Sequence, residues 1–122
     1  MTNEEWILTV VENFYAKAKT DVLIGYHFRV IHDFDEHIPR IAAFWDLQLL
    51  GKTSRRLTSP FDVMNIHLKM GIHRGELGRW LLLFRKTLDE EVTKDPSKKD
   101  LQDKWEERLK TFEQIFLRFL GF

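Results

Sequence analysis

The sequence contains no cysteine among its 122 residues. A chain without cysteine has no disulfide framework and no thiolate for catalysis or metal binding. This composition fits a reducing compartment, and we expect a cytoplasmic protein. The chain begins with MTNEEW, which is acidic where a secretory signal would be basic and then apolar, so no signal peptide is predicted.

An excess of charge of one sign is also absent, because 19 lysines and arginines balance 19 aspartates and glutamates. Without net positive charge there is no large field to attract a phosphate backbone or an anionic membrane. The longest apolar runs have five residues, as in WLLLF at 80–84, whereas a membrane span needs about 20. We therefore expect neither a nucleic-acid nor a membrane partner, and the length predicts a single domain over residues 1–122.

Aromatic residues are what the chain has in abundance: ten phenylalanines, four tryptophans and two tyrosines make up 13% of it. Each such side chain buries a large area when it leaves water. A ring-rich interior serves either packing alone or the binding of a flat ligand. Composition does not separate the two uses, so the positions of the rings must decide.

Apolar residues recur at helical spacing through most of the chain. Thr2 and Glu5 fit a capping box, and Gly51 and Gly121 fit helix stops. Pro39 is tolerable in a helix that begins near Asp35, because the first four backbone N–H groups have no intrahelical partner. We predict long helices over 3–19, about 36–50, about 75–92 and about 101–119, a turn or single helical turn at 21–26, a loop at 52–57 and a short helix at 63–68.

No strand pattern competes with these helices, so the predicted fold class is all-α, with four substantial helices and short accessory ones. Catalytic strings such as a Gly-rich phosphate loop or HExxH are absent from the sequence. No acidic pair falls on an apolar helix face, so little supports a catalytic domain that uses carboxylates. Function must be sought among the histidines and the rings.

The five histidines do not form a zinc pattern. His27, His32 and His37 are five residues apart, so each is rotated by about 140° from the one before on a helix. A single histidine is more often a surface or core residue than a ligand. His67 has the most informative surroundings, since it lies between Ile66 and Leu68 in NIHLKM. A histidine that faces an apolar cavity is the usual way to hold a haem iron from the proximal side.

Three segments together resemble one known family, the truncated haemoglobins, and within it group III. The segments are FYAKAKTDVLIGYHF at 14–28, HIPRIAAFWDLQLLG at 37–51 and HLKMGIHRGELGRWLLLF at 67–84. They occur in the family's order and at approximately its spacing. The resemblance implies a globin-like fold, a truncated two-over-two helical sandwich around haem b, which is iron protoporphyrin IX.

The same resemblance implies a role for each matched position. His67 would be the proximal iron ligand, with His73 as the runner-up. The polar groups of the distal side would be Tyr15, His37 and Trp80. Phe28 would press on the haem face, and Arg40 would pair with a propionate. The remaining wall of the haem pocket would consist of Ile41, Phe44, Trp45 and Phe84. Ordinary core packing would also explain these residues, and the two explanations are compatible.

The family's chemistry implies binding of O2, NO or CO at a histidine-ligated iron. Three polar groups on the distal side predict slow O2 release, which favours O2, NO or peroxide chemistry over bulk oxygen transport. Tyr15 would be the main hydrogen-bond donor and His37 a gate, whereas His27 would point toward solvent or a propionate. Nitric oxide dioxygenase and peroxidase-like activities both remain open, and a reductase is a candidate partner.

The competing hypothesis is a haem-free helical sensor or interaction module on a globin-like scaffold. It is favoured by the spacing around His67, which departs from the family's pattern. This hypothesis expects a protein that folds well without a cofactor and has no affinity for haem.

Overall fold

The computed structural model describes residues 1–29, 34–55 and 70–121, with the backbone alone at 34 and 35. Every regular element in these ranges is helical, which confirms the all-α prediction. The predicted helix at 63–68 and the end of the predicted loop, residues 56 and 57, lie outside the described residues. The elements are α1 (Asn3–Ala18), α2 (Gly25–Arg29), α3 (Phe34–Leu50), α4 (Arg74–Lys94), a 3-10 turn (Pro96–Lys98) and α5 (Lys99–Phe119).

Local sequence signals set most of the helix ends. At the start of α1, Thr2 Oγ1 accepts a hydrogen bond from the Glu5 N–H at 3.1 Å, and Glu5 Oε1 accepts one from the Thr2 N–H at 3.0 Å, which confirms the capping box. Gly51 has φ +74° after α3, and Gly121 has φ +76° after α5. This left-handed region favours glycine, so both predicted stops are confirmed.

The start of α3 differs from the expectation for Pro39. The helix begins at Phe34, so Pro39 is its sixth residue and lies beyond the four N–H groups that need no partner. One intrahelical hydrogen bond, to the Asp35 carbonyl, is therefore lost at this position. The rest of the helix retains its pattern and packs on α1 and α5.

The core is formed where α1 packs against α3 and α4, and where α5 packs against α3 and α4. Its largest side chains are fully buried, and their rings touch one another. The Trp6 and Trp105 ring centroids are 6.0 Å apart, those of Phe14 and Phe84 are 4.7 Å apart, and those of Phe84 and Trp105 are 5.4 Å apart. Burial of such rings is the main stabilising contribution in a domain of this size. We call this group the packed core: Trp6, Phe14, Phe84 and Trp105.

A buried carboxylate holds the chain after α3. Asp46 is fully buried, and its Oδ2 accepts hydrogen bonds from Thr53 Oγ1 and Arg55 Nε, both at 2.8 Å. Arg55 also donates to the Glu4 carbonyl and so ties this segment to α1. Burial raises the pKa of Asp46, because removal from water disfavours the charged form more than Arg55 favours it.

Polar contacts also fix α2 and the turn before it on α4. Asp21 Oδ1 accepts hydrogen bonds from Arg79 Nε at 3.0 Å and Nη2 at 2.7 Å. Glu76 Oε2 accepts one from the Tyr26 hydroxyl and pairs with His27 Nε2 at 2.8 Å. The His27 side chain is only 9% exposed, so the expectation that it points toward solvent is wrong. Its partner is the Glu76 carboxylate.

No helix within the described ranges is both long enough and apolar enough to cross a membrane.

Candidate functional site

A cleft opens among α1, α3, α4 and α5. The space is about 470 Å³ when the open mouth is included. The free volume inside the cleft is about 30 Å³. Such room suffices for one or two water molecules, so a larger ligand requires side chains to move apart. We call it the aromatic cleft, and its lining residues are Tyr15, Ile41, Phe44, Trp45, Leu77, Trp80, Leu81, Leu109, Phe112, Glu113 and Phe116.

The lining follows from helical spacing. α3, α4 and α5 each contribute residues three or four positions apart, which places them on one face of each helix. Burial divides this lining into a floor and a rim. The buried floor consists of Tyr15, Trp45, Leu77, Leu81, Leu109 and Phe116. The half-buried rim consists of Ile41, Phe44, Trp80, Phe112 and Glu113.

Tyr15 brings a polar group to the floor of the aromatic cleft. It is 9% exposed, and its ring makes edge contacts with Phe14 at 4.9 Å and Phe28 at 5.4 Å between centroids. Burial raises the pKa of Tyr15, because the phenolate would lie in an apolar environment. The hydroxyl therefore keeps its proton at physiological pH and retains the capacity to donate a hydrogen bond.

The two tryptophans of the cleft occupy different depths. Trp80 lies at the rim and stacks on Phe84, with 5.1 Å between centroids and 29° between planes. Trp45 lies in the floor, 4% exposed, and contacts Phe84 at 5.8 Å and Trp105 at 5.3 Å. The floor is therefore continuous with the packed core, whereas the rings of the rim keep part of their surface exposed.

The structure brings five of the predicted site residues together, and they come from three helices. Tyr15, Ile41, Phe44, Trp45 and Trp80 all line the aromatic cleft. Because these positions are up to 65 residues apart in the chain, their convergence depends on the tertiary fold.

Two predicted wall residues lie behind the lining. Phe28 is 6% exposed and contacts the cleft through Tyr15. Phe84 is 1% exposed and contacts it through Trp45 and Trp80. Both rings therefore act on the shape of the aromatic cleft through their neighbours.

The predicted polar and ionic positions are distributed differently. His37 and Arg40 are half-buried on α3, one turn before Ile41 and Phe44, and neither lines the aromatic cleft. Arg40 Nε is buried and, in the part of the chain that the structure describes, its N–H donates to no acceptor. His67 lies outside the described residues. His73, the runner-up, is exposed at the N-cap position of α4.

Sequence reasoning missed the wall that α5 contributes. Leu109, Phe112, Glu113 and Phe116 line the aromatic cleft from this helix. Their spacing indicated a buried face, but an apolar stripe on its own does not distinguish a core contact from a cleft wall. Glu113 had no signal at all, since a glutamate in a charged helix usually faces solvent.

The chemical character of the lining fits a haem. Its rings and aliphatic side chains suit the apolar faces of a porphyrin, and Tyr15 supplies a neutral donor. Among the described residues, no group of three or more histidine, cysteine or acidic side chains is arranged to hold a metal ion. The absence of such a cluster does not bear on a single histidine such as His67, which lies outside the described residues.

Comparison of the chain with models of protein families, with curated proteins and with solved structures found no match.

Proposed function

We propose that this protein is a haem-binding globin of the truncated type, with the aromatic cleft as its haem pocket, and that it binds O2, NO or CO. One observation carries the proposal. Five positions that the sequence resemblance assigns to a haem pocket, on three different helices, line a single cleft: Tyr15, Ile41, Phe44, Trp45 and Trp80. Ring-rich packing alone does not require these particular residues to share one opening.

In this proposal the porphyrin enters the cleft through the rim and contacts the buried floor. Trp45 and its neighbours give an apolar surface for one face, and Trp80 covers the opening. Arg40, whose Nε lacks a partner among the described residues, pairs with a propionate, and His67 is the iron ligand. When bound, haem supplies reversible binding of diatomic ligands and redox chemistry at its iron.

Tyr15 is the residue that we assign to ligand stabilisation. Its hydroxyl is protonated at physiological pH, as in an ordinary tyrosine, and burial raises its pKa further. A hydrogen bond from it to a diatomic ligand that carries partial negative charge contributes about 1.5–3 kcal/mol, or about one to two decades in affinity. Such retention suits O2, NO or peroxide chemistry, with a reductase as electron donor, better than oxygen delivery. His37 lies one turn before Ile41 on α3, outside the lining of the cleft, and we assign it the role of a gate.

The test is an absorption titration of the purified protein with haem in the ferric, ferrous and CO-bound states. We expect a stoichiometric Soret band that a His67→Ala variant loses or shifts. His73→Ala is the matched control, since it removes a histidine that is exposed at the start of α4. Haem binding that does not saturate, or equal spectra for both variants, would contradict the assignment.

The second candidate is a haem-free helical sensor or interaction module. The observation that favours it is the small free volume of the aromatic cleft, about 30 Å³. The rings of the packed core also contact one another directly, so the described fold needs no cofactor to fill its interior. This candidate predicts cooperative unfolding of the apoprotein and no change of Tm on addition of haem.

A further inference from the structure

Glu113 is the only charged side chain among the described residues that line the aromatic cleft. It is half-buried at the rim, on α5, and lies between Phe112 and Phe116 in the sequence. No hydrogen bond or ion pair engages its carboxylate anywhere in the described ranges. A half-buried carboxylate in an otherwise apolar lining favours a positive or hydrogen-bond-donating group beside it over a negative one.

A charge of the opposite sign lies on α3, outside the lining of the cleft. Arg40 lies on the same face of α3 as Phe44, one turn earlier. Phe44 in turn contacts Phe112 of α5, with 5.7 Å between ring centroids, so the two helices are neighbours at the rim. Arg40 Nε has no hydrogen-bond partner in the part of the chain that is described. Within the described lining the rim therefore carries one charge, the negative charge of Glu113 on α5.

We propose that Glu113 selects the charge of the ligand in the aromatic cleft: it disfavours an anionic group on the α5 side and favours a cationic or uncharged one. A flat ligand that carries carboxylates then turns them away from α5. For haem, this inference rests on the proposed function and states which edge of the macrocycle faces α5. Rings at the rim add to the preference for cations, because their faces attract positive charge.

The experiment uses two flat probes of opposite charge, anionic anilinonaphthalene sulfonate and cationic proflavine, with fluorescence as the readout. Glu113→Gln removes the charge and keeps the shape. We expect it to weaken proflavine binding and strengthen sulfonate binding, each by about three- to tenfold, as for unit charges several ångströms apart near a protein surface. Glu107→Gln is the matched control, since it removes the same charge from an exposed position of α5 that does not line the cleft.

A second pair of probes tests the same residue with haem and its dimethyl ester, whose propionates carry no charge. Glu113→Gln should raise the affinity for haem by about three- to tenfold and leave the affinity for the ester unchanged. Three results would overturn the inference. The first is an equal change of affinity for both porphyrins, and the second is an equal change of dye affinity in the two glutamine variants. The third is dye binding that does not saturate. If the dyes respond as expected but haem does not bind, the proposed function fails and the role of Glu113 stands.

Discussion

The packed core and the aromatic cleft are both rich in rings, but they differ in what covers those rings. In the packed core, Phe14 and Trp105 have no exposed surface, and each touches several other rings. At the rim of the cleft, Phe44, Trp80 and Phe112 remain half-buried. The core buries its rings completely, whereas the rim leaves part of its ring surface exposed. In the proposed function this exposed ring surface contacts the ligand.

The two regions also differ in how they are held. The packed core depends on close contact of apolar surfaces, which is insensitive to pH. Around α2, whose Phe28 contacts Tyr15, the chain is held by ionisable groups: Asp21 with Arg79, and Glu76 with His27. A change of pH should therefore alter the stability of the chain around α2 and leave the packing of the core unchanged.

The largest effect is expected in the packed core. Trp105→Ala removes a fully buried ring that contacts Trp6, Trp45 and Phe84. The free energy of unfolding should fall by about 3–5 kcal/mol, measured by urea unfolding, because a cavity remains where the ring was. Trp105→Phe should cost less, since it refills part of that cavity. A loss below about 1 kcal/mol for the alanine variant would contradict the description of this region as close-packed.

The second largest effect is expected in the cleft, on the rate at which the ligand is released. Tyr15→Phe removes the hydroxyl and keeps the ring that packs on Phe14 and Phe28. If haem is bound, O2 release should become about 10- to 100-fold faster, because a hydrogen bond to a partly charged ligand is lost. Stopped-flow measurement of the O2 off-rate tests this, and an unchanged rate would remove Tyr15 from its proposed role.

A smaller effect, and one that depends on pH, is expected where the turn before α2 meets α4. The Arg79 guanidinium holds the pKa of Asp21 below its usual value. A lowered pKa in the folded state contributes stability above the unfolded value of about 3.9, and this stability is lost as pH falls through the folded pKa. Asp21→Asn should therefore cost about 1–2 kcal/mol at pH 7 and progressively less below about pH 4. Urea unfolding across that range tests the sign, and a cost that grows with acidity would contradict it.

The smallest effect on stability is expected at the rim. Phe112→Ala removes a half-buried ring and should cost about 1 kcal/mol, because part of its surface is already in water. The same change should weaken binding of flat ligands such as proflavine. Thermal unfolding and dye titration of one variant separate the two effects. A cost as large as that of Trp105→Ala would remove the distinction between rim and core.

Helix positions could be predicted from the sequence because their causes are local. The capping box of Thr2 and Glu5, the glycine stops and the three- and four-residue spacing all act within a few residues. Contacts across the fold could not be predicted in this way. His27 meets Glu76 across 49 positions, and the carboxylate supplies a partner that no local pattern indicates.

The lining of the cleft could be predicted only in part. The resemblance identified positions on α1, α3 and α4, but Phe28 and Phe84 are one layer behind the lining. The depth of a ring depends on how the helices cross, which spacing along one helix does not specify. For the same reason the wall from α5, including Glu113, became apparent only in the folded structure.

The most direct test of the central claim, that the aromatic cleft and not the packed core receives the flat ligand, uses the indole N–H signals of the four tryptophans. The protein would be titrated with diamagnetic zinc protoporphyrin and followed by ¹H–¹⁵N NMR. Saturable shifts of the Trp80 and Trp45 signals, with the Trp6 signal unchanged, are predicted, because the first two line the cleft and Trp6 does not. Shifts of Trp6 as large as those of Trp80, or no saturable shift at all, would contradict the account.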